Sequence, residues 1–204
     1  MWIKKDLVNF ESNDEYLKFQ REANHENNYT GTTNRPWINE DLDIVMKYVT
    51  NKKSSILSIG TRDFYDLRYL RQHGYENLYG CDLDERSIPL SKQFGFNFTI
   101  CDIHEYKFPI KFDGIYCRHV LEHCYNCEKA LQNMISNLQV NSYIMVVVPL
   151  EDKIYLPKKR GHCRFWKTSE EFSNFCKQYL EEVSCIEDTI SRKKPQVAFL
   201  GRKK

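Results

Sequence analysis

Nowhere does this chain of 204 residues stay apolar for the ~18 residues that a membrane-crossing helix needs. Its opening, Met1-Trp2-Ile3-Lys4-Lys5-Asp6, lacks the apolar centre of a secretory signal, so the expected location is the cytoplasm. Charge of one sign is missing too: the formal net charge is +2, too small to argue for nucleic acid as a partner. No aromatic-basic tract or recognition module adds to that argument, so nucleic acid is disfavoured but left open, and the oligomeric state is not legible. Glycine is scarce, with eight residues, and no G-x-G-x-x-G follows an apolar run. A nicotinamide-dependent oxidoreductase uses that turn to hold a pyrophosphate, and is disfavoured accordingly. There are no internal repeats, and the length suits a single globular domain.

Cysteine, by contrast, is plentiful. Without a secretory signal the eight residues are expected to remain thiols. Cys81, Cys101 and Cys117 sit at the ends of apolar runs, where a thiol behaves as a small buried hydrophobe.

Residues 1–39 read as an N-terminal arm or lid, and 40–204 as the main domain. Within the arm, Asn13 is placed to cap a short helix whose apolar face is Tyr16, Leu17 and Phe19. A loosely packed terminus accounts for the same residues equally well. From Glu40 onward, helical and apolar segments alternate. A helix over Glu40–Val49 precedes strand Ile56–Gly60, and a helix through Phe64, Leu67 and Leu70 precedes strand Leu78–Asp82. A helix Glu85–Phe94, interrupted by Pro89, leads to strand Asn97–Asp102. Strand Phe112–Cys117, helix Asn126–Leu138 and strand Tyr143–Val148 follow, then a helix from Ser169 and two strands joined by Ser191-Arg192-Lys193-Lys194-Pro195. This order predicts a doubly wound α/β fold with a mostly parallel seven-stranded sheet and an antiparallel last strand.

In such a sheet the carboxyl ends of the strands line one crevice. Gly60 ends the first strand, where backbone must approach a ligand. Asp82 ends the second, where a carboxylate can hold ribose hydroxyls, and Asp102 ends the third, beside a base. One aspartate alone would read as a helix cap. Two at matching ends, with the glycine, point to a nucleoside-containing ligand.

Ile56-Leu57-Ser58-Ile59-Gly60, Gly80-Cys81-Asp82-Leu83-Asp84, Cys101-Asp102-Ile103 and Phe112-Asp113-Gly114-Ile115-Tyr116 together resemble the class I S-adenosylmethionine-dependent methyltransferases, which have a Rossmann-like fold. Val120-Leu121-Glu122-His123 is similar to the small-molecule members that carry this tetrapeptide after strand four, and Gly161-His162-Cys163-Arg164-Phe165-Trp166 resembles their C-terminal part. The resemblance implies S-adenosyl-L-methionine as cofactor. Gly60 and Thr61 would touch its methionine end, Asp82 its ribose and Leu83 its adenine. Asp102 and Ile103 would flank the adenine amino group, with Arg118 and His119 beneath the sulfonium. The family usually has an acidic residue in place of Ser58 and glycines near Arg62 and Phe64. Arg62 would then have to accept a left-handed conformation, and could grip the cofactor carboxylate. A non-catalytic, methyltransferase-like partner protein with a degenerate loop is the alternative reading.

The expected reaction is methyl transfer to oxygen or nitrogen of a small acceptor. His119, His123 and His162 are the candidate bases. Arg35, Trp37, Lys159, Arg160, His162 and Arg164 are candidate acceptor contacts, and the basic turns Lys158–Arg160 and Arg192–Lys194 favour an anionic acceptor such as a sugar phosphate or nucleotide. A zinc site can be drawn through His119, His123, Cys124 and Cys127, but few directions converge on such a turn, and no metal is expected.

Overall fold

Strand β1 (Ser55–Ile59) lies between β2 (Asn77–Asp82) and β4 (Phe112–Arg118), parallel to both and buried on both faces. That is why its sequence is a nearly continuous apolar run rather than an alternation. The structure, a computed structural model, describes residues 10–23, 35–151, 161–188 and 195–204. Its seven strands run in the order β3-β2-β1-β4-β5-β7-β6, with β3 at Asn97–Ile100, β5 at Leu138–Pro149, β6 at Glu181–Asp188 and β7 at Gln196–Arg202. Only β7 is antiparallel to its neighbours among these strands, as the sequence predicts. The strand order reverses between β1 and β4, which opens the crevice at their carboxyl ends.

Helices cover both faces. On one, α2 (Pro36–Tyr48), α3 (Tyr65–Gln72) and α4 (Ile88–Phe94) contribute Leu42, Val45, Leu67, Leu70 and Leu90 to a common core. On the other, α5 (Cys127–Ser136) and α6 (Ser169–Lys177) contribute Ala130, Leu131, Met134, Phe172 and Phe175. All eight cysteines are free, and all but Cys185 are buried.

Several boundaries differ from the sequence reading. Strand β3 ends at Ile100, so Asp102 lies two residues beyond it. Helix α2 begins at Pro36 rather than Glu40, because proline suits a first helical turn and Ile38 extends the buried face. Pro89 does not interrupt a helix. It starts α4 after a separate 3-10 turn, Glu85–Ser87. Strand β5 begins five residues early, in polar sequence, with Asn141 at φ +64 and an irregular register beside Gly114.

The arm forms α1 (Asn13–Ala23), and its cap is Ser12 rather than Asn13: the Glu15 N–H donates to Ser12 Oγ at 3.2 Å. Tyr16 is buried against Tyr125 and His104, with ring centroids 4.8 and 5.3 Å away. Gln20 Nε2 donates to the carbonyls of His123 (2.9 Å) and Gly161 (2.8 Å), which fastens the helix over the crevice.

Candidate active site

The turn from β1 into α3 is left-handed at three residues. Gly60 has φ +71, Arg62 +50 and Phe64 +60. At Gly60 a side chain is excluded outright, because a Cβ would come 2.4 Å from Val120 Cγ2. Arg62 and Phe64 occupy the places where the family resemblance expects glycine, and each pays about 1–2 kcal/mol for the left-handed conformation. Surrounding contacts over-determine it. The Arg62 N–H donates to Asp82 Oδ2 at 3.0 Å, Ser87 Oγ donates to the Arg62 carbonyl at 3.0 Å, and the Gly60 and Thr61 N–H groups both donate to the Cys81 carbonyl. The fully buried Phe64 ring stacks on Phe96 (5.7 Å) and meets Phe98 edge-on (5.3 Å).

Asp82 thus holds the protein's own loop as well as facing the cavity. Its other oxygen accepts the Asp84 N–H at 3.0 Å, and burial pushes the carboxyl up to about 6 despite these bonds. The Leu83 N–H is a third backbone donor, and the two oxygens together still keep acceptor capacity for a ligand. The acidic group missing at Ser58 returns from a different element. Ser58 Oγ donates to Asp66 of α3, whose carboxyl burial raises to about 6. Arg35 pairs with buried Asp63 at 2.9 Å, so it stands against the cofactor loop.

At the end of β4, Arg118 is fixed by Asp41 of α2 and by Gln196 Oε1 at 2.6 Å. His119 follows at φ +52 with its ring 39% exposed and Nδ1 4.0 Å from Glu122 Oε1. Glu122 lies on the 3-10 turn Leu121–His123 and is 1% exposed. Burial pushes its carboxyl up to about 7, against the opposing charge of His162. His123 Nδ1 meets the Gly161 carbonyl at 3.0 Å, and burial, with the charge of His162, drives its imidazole down to about 3. Such a ring is a weak proton acceptor. His162 Nδ1 is 2.9 Å from Glu151 Oε2.

These groups share one cavity of about 610 Å³. Gly60, Arg62, Asp82, Leu83, Ile103 and Arg118 line one part of it, where the resemblance expects the cofactor. His119, His123 and His162 line the other, with Tyr16 and Gln20 of α1 and with Trp37, itself 41% exposed. Three sequence candidates do not line it. The Thr61 side chain is buried, with Cγ2 against Gly80. Asp102 turns to His104, accepting its backbone N–H at 2.9 Å with Nδ1 at 2.6 Å. Burial would raise the Asp102 carboxyl, but these bonds bring it below the usual carboxylate range. The Arg164 guanidinium sits 5.3 Å from the Trp166 ring and 4.8 Å from that of Phe175, drawn there by cation–π attraction. Lys159 and Arg160, like Lys158 and Arg192–Lys194, lie outside the described residues. The sulfur-containing zinc set is not assembled: Cys124 Sγ donates to the Val120 carbonyl and Cys127 Sγ to that of Leu121. Sequence reasoning missed Gln20, Asp41, His104 and Glu151, whose partners are 75 or more residues away or come from a neighbouring turn.

A methyltransferase-domain family model matches residues 33–182. The chain belongs to this family and is an S-adenosylmethionine-dependent methyltransferase of the class I fold. No curated protein matches the sequence. Among solved structures, the 1,6-didemethyltoxoflavin-N1-methyltransferase of Burkholderia thailandensis, with S-adenosylhomocysteine and its acceptor bound, is similar at a TM-score of 0.74 and 17% identity, covering 96% of this chain and 92% of its own. The N-methyltransferase NodS of Bradyrhizobium japonicum, with S-adenosylhomocysteine, is similar at 0.67 and 17%, covering 92% and 97%. The [4+2]-cyclase SpnF has the same fold at 0.67 and 11%, covering 87% and 84%.

The cavity fits the cofactor. A cradle at Gly60 admits no side chain, and a strand-end carboxylate at Asp82 has lone pairs to spare.

Proposed function

We propose that the chain methylates an oxygen or nitrogen of a small, anionic acceptor bound between α1 and the end of β4. The observation that carries this is the continuity of the cavity from the Gly60–Asp82 wall to His119 and His162. When bound, S-adenosylmethionine supplies an electrophilic methyl group on its sulfonium. Asp82 would hold the ribose hydroxyls, Leu83 would cover the adenine, and Arg62, with Arg35 beside it, would bind the methionine carboxylate. Helix α1 and Trp37 would exclude water and align the acceptor, which is the main service a protein renders to such a displacement. His119 would accept the proton of a hydroxyl or amine acceptor. The lining carries Arg21, Arg35, Arg62 and Arg118 beside Asp82 and Asp84, but Asp63 and Asp41 already balance Arg35 and Arg118. Support for a negatively charged acceptor therefore comes from the basic turns of the sequence, Lys158–Arg160 and Arg192–Lys194.

Calorimetry with S-adenosylhomocysteine, followed by turnover on matched acidic and neutral acceptors, tests the reading. Binding of the cofactor product with faster turnover of acidic acceptors is expected, and His119→Ala should keep that binding while losing roughly 10²–10⁴-fold in rate. Absence of any binding would instead favour the non-catalytic alternative.

A further inference from the structure

Behind the histidine half of the cavity, Glu122, His123 and His162 each offer one ligand atom, and these atoms lie within 4.8 Å of one another. The three come from the turn after β4 and from the segment after β5. The link between those segments is direct, since the Cys163 and Arg164 N–H groups both donate to the Glu122 carbonyl.

The hydrogen bonds around the two rings dictate which nitrogens are available. The Gly161 carbonyl can only accept, so Nδ1 of His123 carries the proton and Nε2 the lone pair. Glu151 does the same for His162. An imidazole whose Nδ1–H is held by a carbonyl or carboxylate, leaving Nε2 bare, is how proteins prepare a histidine for a metal. Gly161 is built for this contact. It has φ +69, and a Cβ there would crowd Gln20, Ala23 and His123 Nδ1. The third member is a carboxylate that is 1% exposed, with neither oxygen hydrogen-bonded among the described residues. Only its own backbone N–H acts on that carboxylate. A buried group with no hydrogen-bond donor from another described residue is costly, and a cation is the ligand that would offset it.

We infer that Glu122, His123 and His162 form a divalent-cation site whose open positions face the acceptor. Two imidazoles with one carboxylate are a set suited to zinc, manganese, iron or cobalt rather than to calcium, and three protein ligands leave room for an outside oxygen. The acceptor class follows, resting on the methyltransferase reading above: a molecule that presents a hydroxyl, carboxylate or phosphate oxygen to the cation beside the cofactor half of the cavity. The set expected to be empty from sequence was a different one, with two cysteines. The fold drops both cysteines and His119, and joins Glu122 and His123 to a histidine 39 positions after His123.

The test uses the full chain, stripped with a chelator and titrated with Co²⁺, with neither cofactor nor acceptor present. One cobalt per chain is expected, with visible ligand-field bands and no thiolate charge-transfer band in the near ultraviolet. Glu122→Gln, which keeps shape, and His162→Ala should each weaken binding by roughly tenfold or more, and Glu151→Gln by about tenfold. Circular dichroism identifies which variants fold; should none fold, the spectrum and stoichiometry of the unaltered chain decide. Sub-stoichiometric binding, a thiolate band, or unweakened binding in a folded Glu122→Gln variant would each overturn the site. A parallel titration with S-adenosylhomocysteine separates the two readings. Cofactor binding without cobalt binding removes only the cation site, whereas the reverse removes only the methyltransferase assignment.

Discussion

Replacing Arg62 with glycine restores the residue that the family resemblance expects in the cofactor loop, and its two consequences are separable. Leaving the left-handed region with a side chain attached costs about 1–2 kcal/mol, which glycine avoids. Glycine also gives the unfolded chain more freedom, costing about 0.5–1 kcal/mol. The N–H to Asp82 is backbone and survives the change. Stability should therefore move by no more than about 1 kcal/mol, or less than ~4 °C in melting temperature. Affinity should move much further. A hydrogen bond to a charged group contributes about 1.5–3 kcal/mol, so losing the guanidinium from the cofactor carboxylate should weaken S-adenosylhomocysteine binding roughly 10- to 100-fold. Calorimetry and a thermal melt on the same preparation read both quantities. If the glycine variant binds as tightly as the native chain, the backbone alone makes the site and the role given to Arg62 is refuted.

Two further expectations concern the frame. Asp66 titrates higher in the folded chain than in the unfolded, about 6 against 3.8, so its contribution to stability is complete below about 3.8 and is lost as pH rises through 6. Asp66→Asn should abolish that loss, worth on the order of 3 kcal/mol; equal pH dependence of urea unfolding in the two proteins would contradict it. Gln20→Ala takes the side-chain donor from the His123 carbonyl, at about 1–3 kcal/mol, and leaves the Gly161 carbonyl to His123 Nδ1. Amide exchange in residues 13–23 should accelerate in that variant before global unfolding, and unchanged protection would show that Tyr16 alone secures the arm.

What could be read from the sequence was whatever repeats at short range. Val146-Val147-Val148 can hardly be anything but buried strand, and the hairpin after α6 follows from spacing alone. Gly60 and Asp82 were legible because strand ends converge in any doubly wound sheet. Asp102 was expected beside a base by the same rule, and nothing in the sequence announces that the strand stops at Ile100 or that His104 pairs with the aspartate. Long-range closure hid the rest. His162 and Glu122 are 40 positions apart, brought together by the bonds from Cys163 and Arg164 to the Glu122 carbonyl and by the contacts of Gln20 and His123 with Gly161. The basic turns that suggested an anionic acceptor, Lys158–Arg160 and Arg192–Lys194, lie outside the described residues, and Arg164 is spent on two aromatic rings.

The left-handed Phe64 carries a consequence for how this loop can vary. A glycine there would relieve about 1–2 kcal/mol of backbone strain but remove a fully buried ring from its stack on Phe96 and its contact with Phe98, a loss of about 3–5 kcal/mol for such truncations. Arg62 can become glycine at little cost to the fold; Phe64 cannot. With the aromatic cluster closed around it, no single substitution gives a glycine at position 64 without that loss, and the loop can be varied at Arg62 far more cheaply than at its buried end.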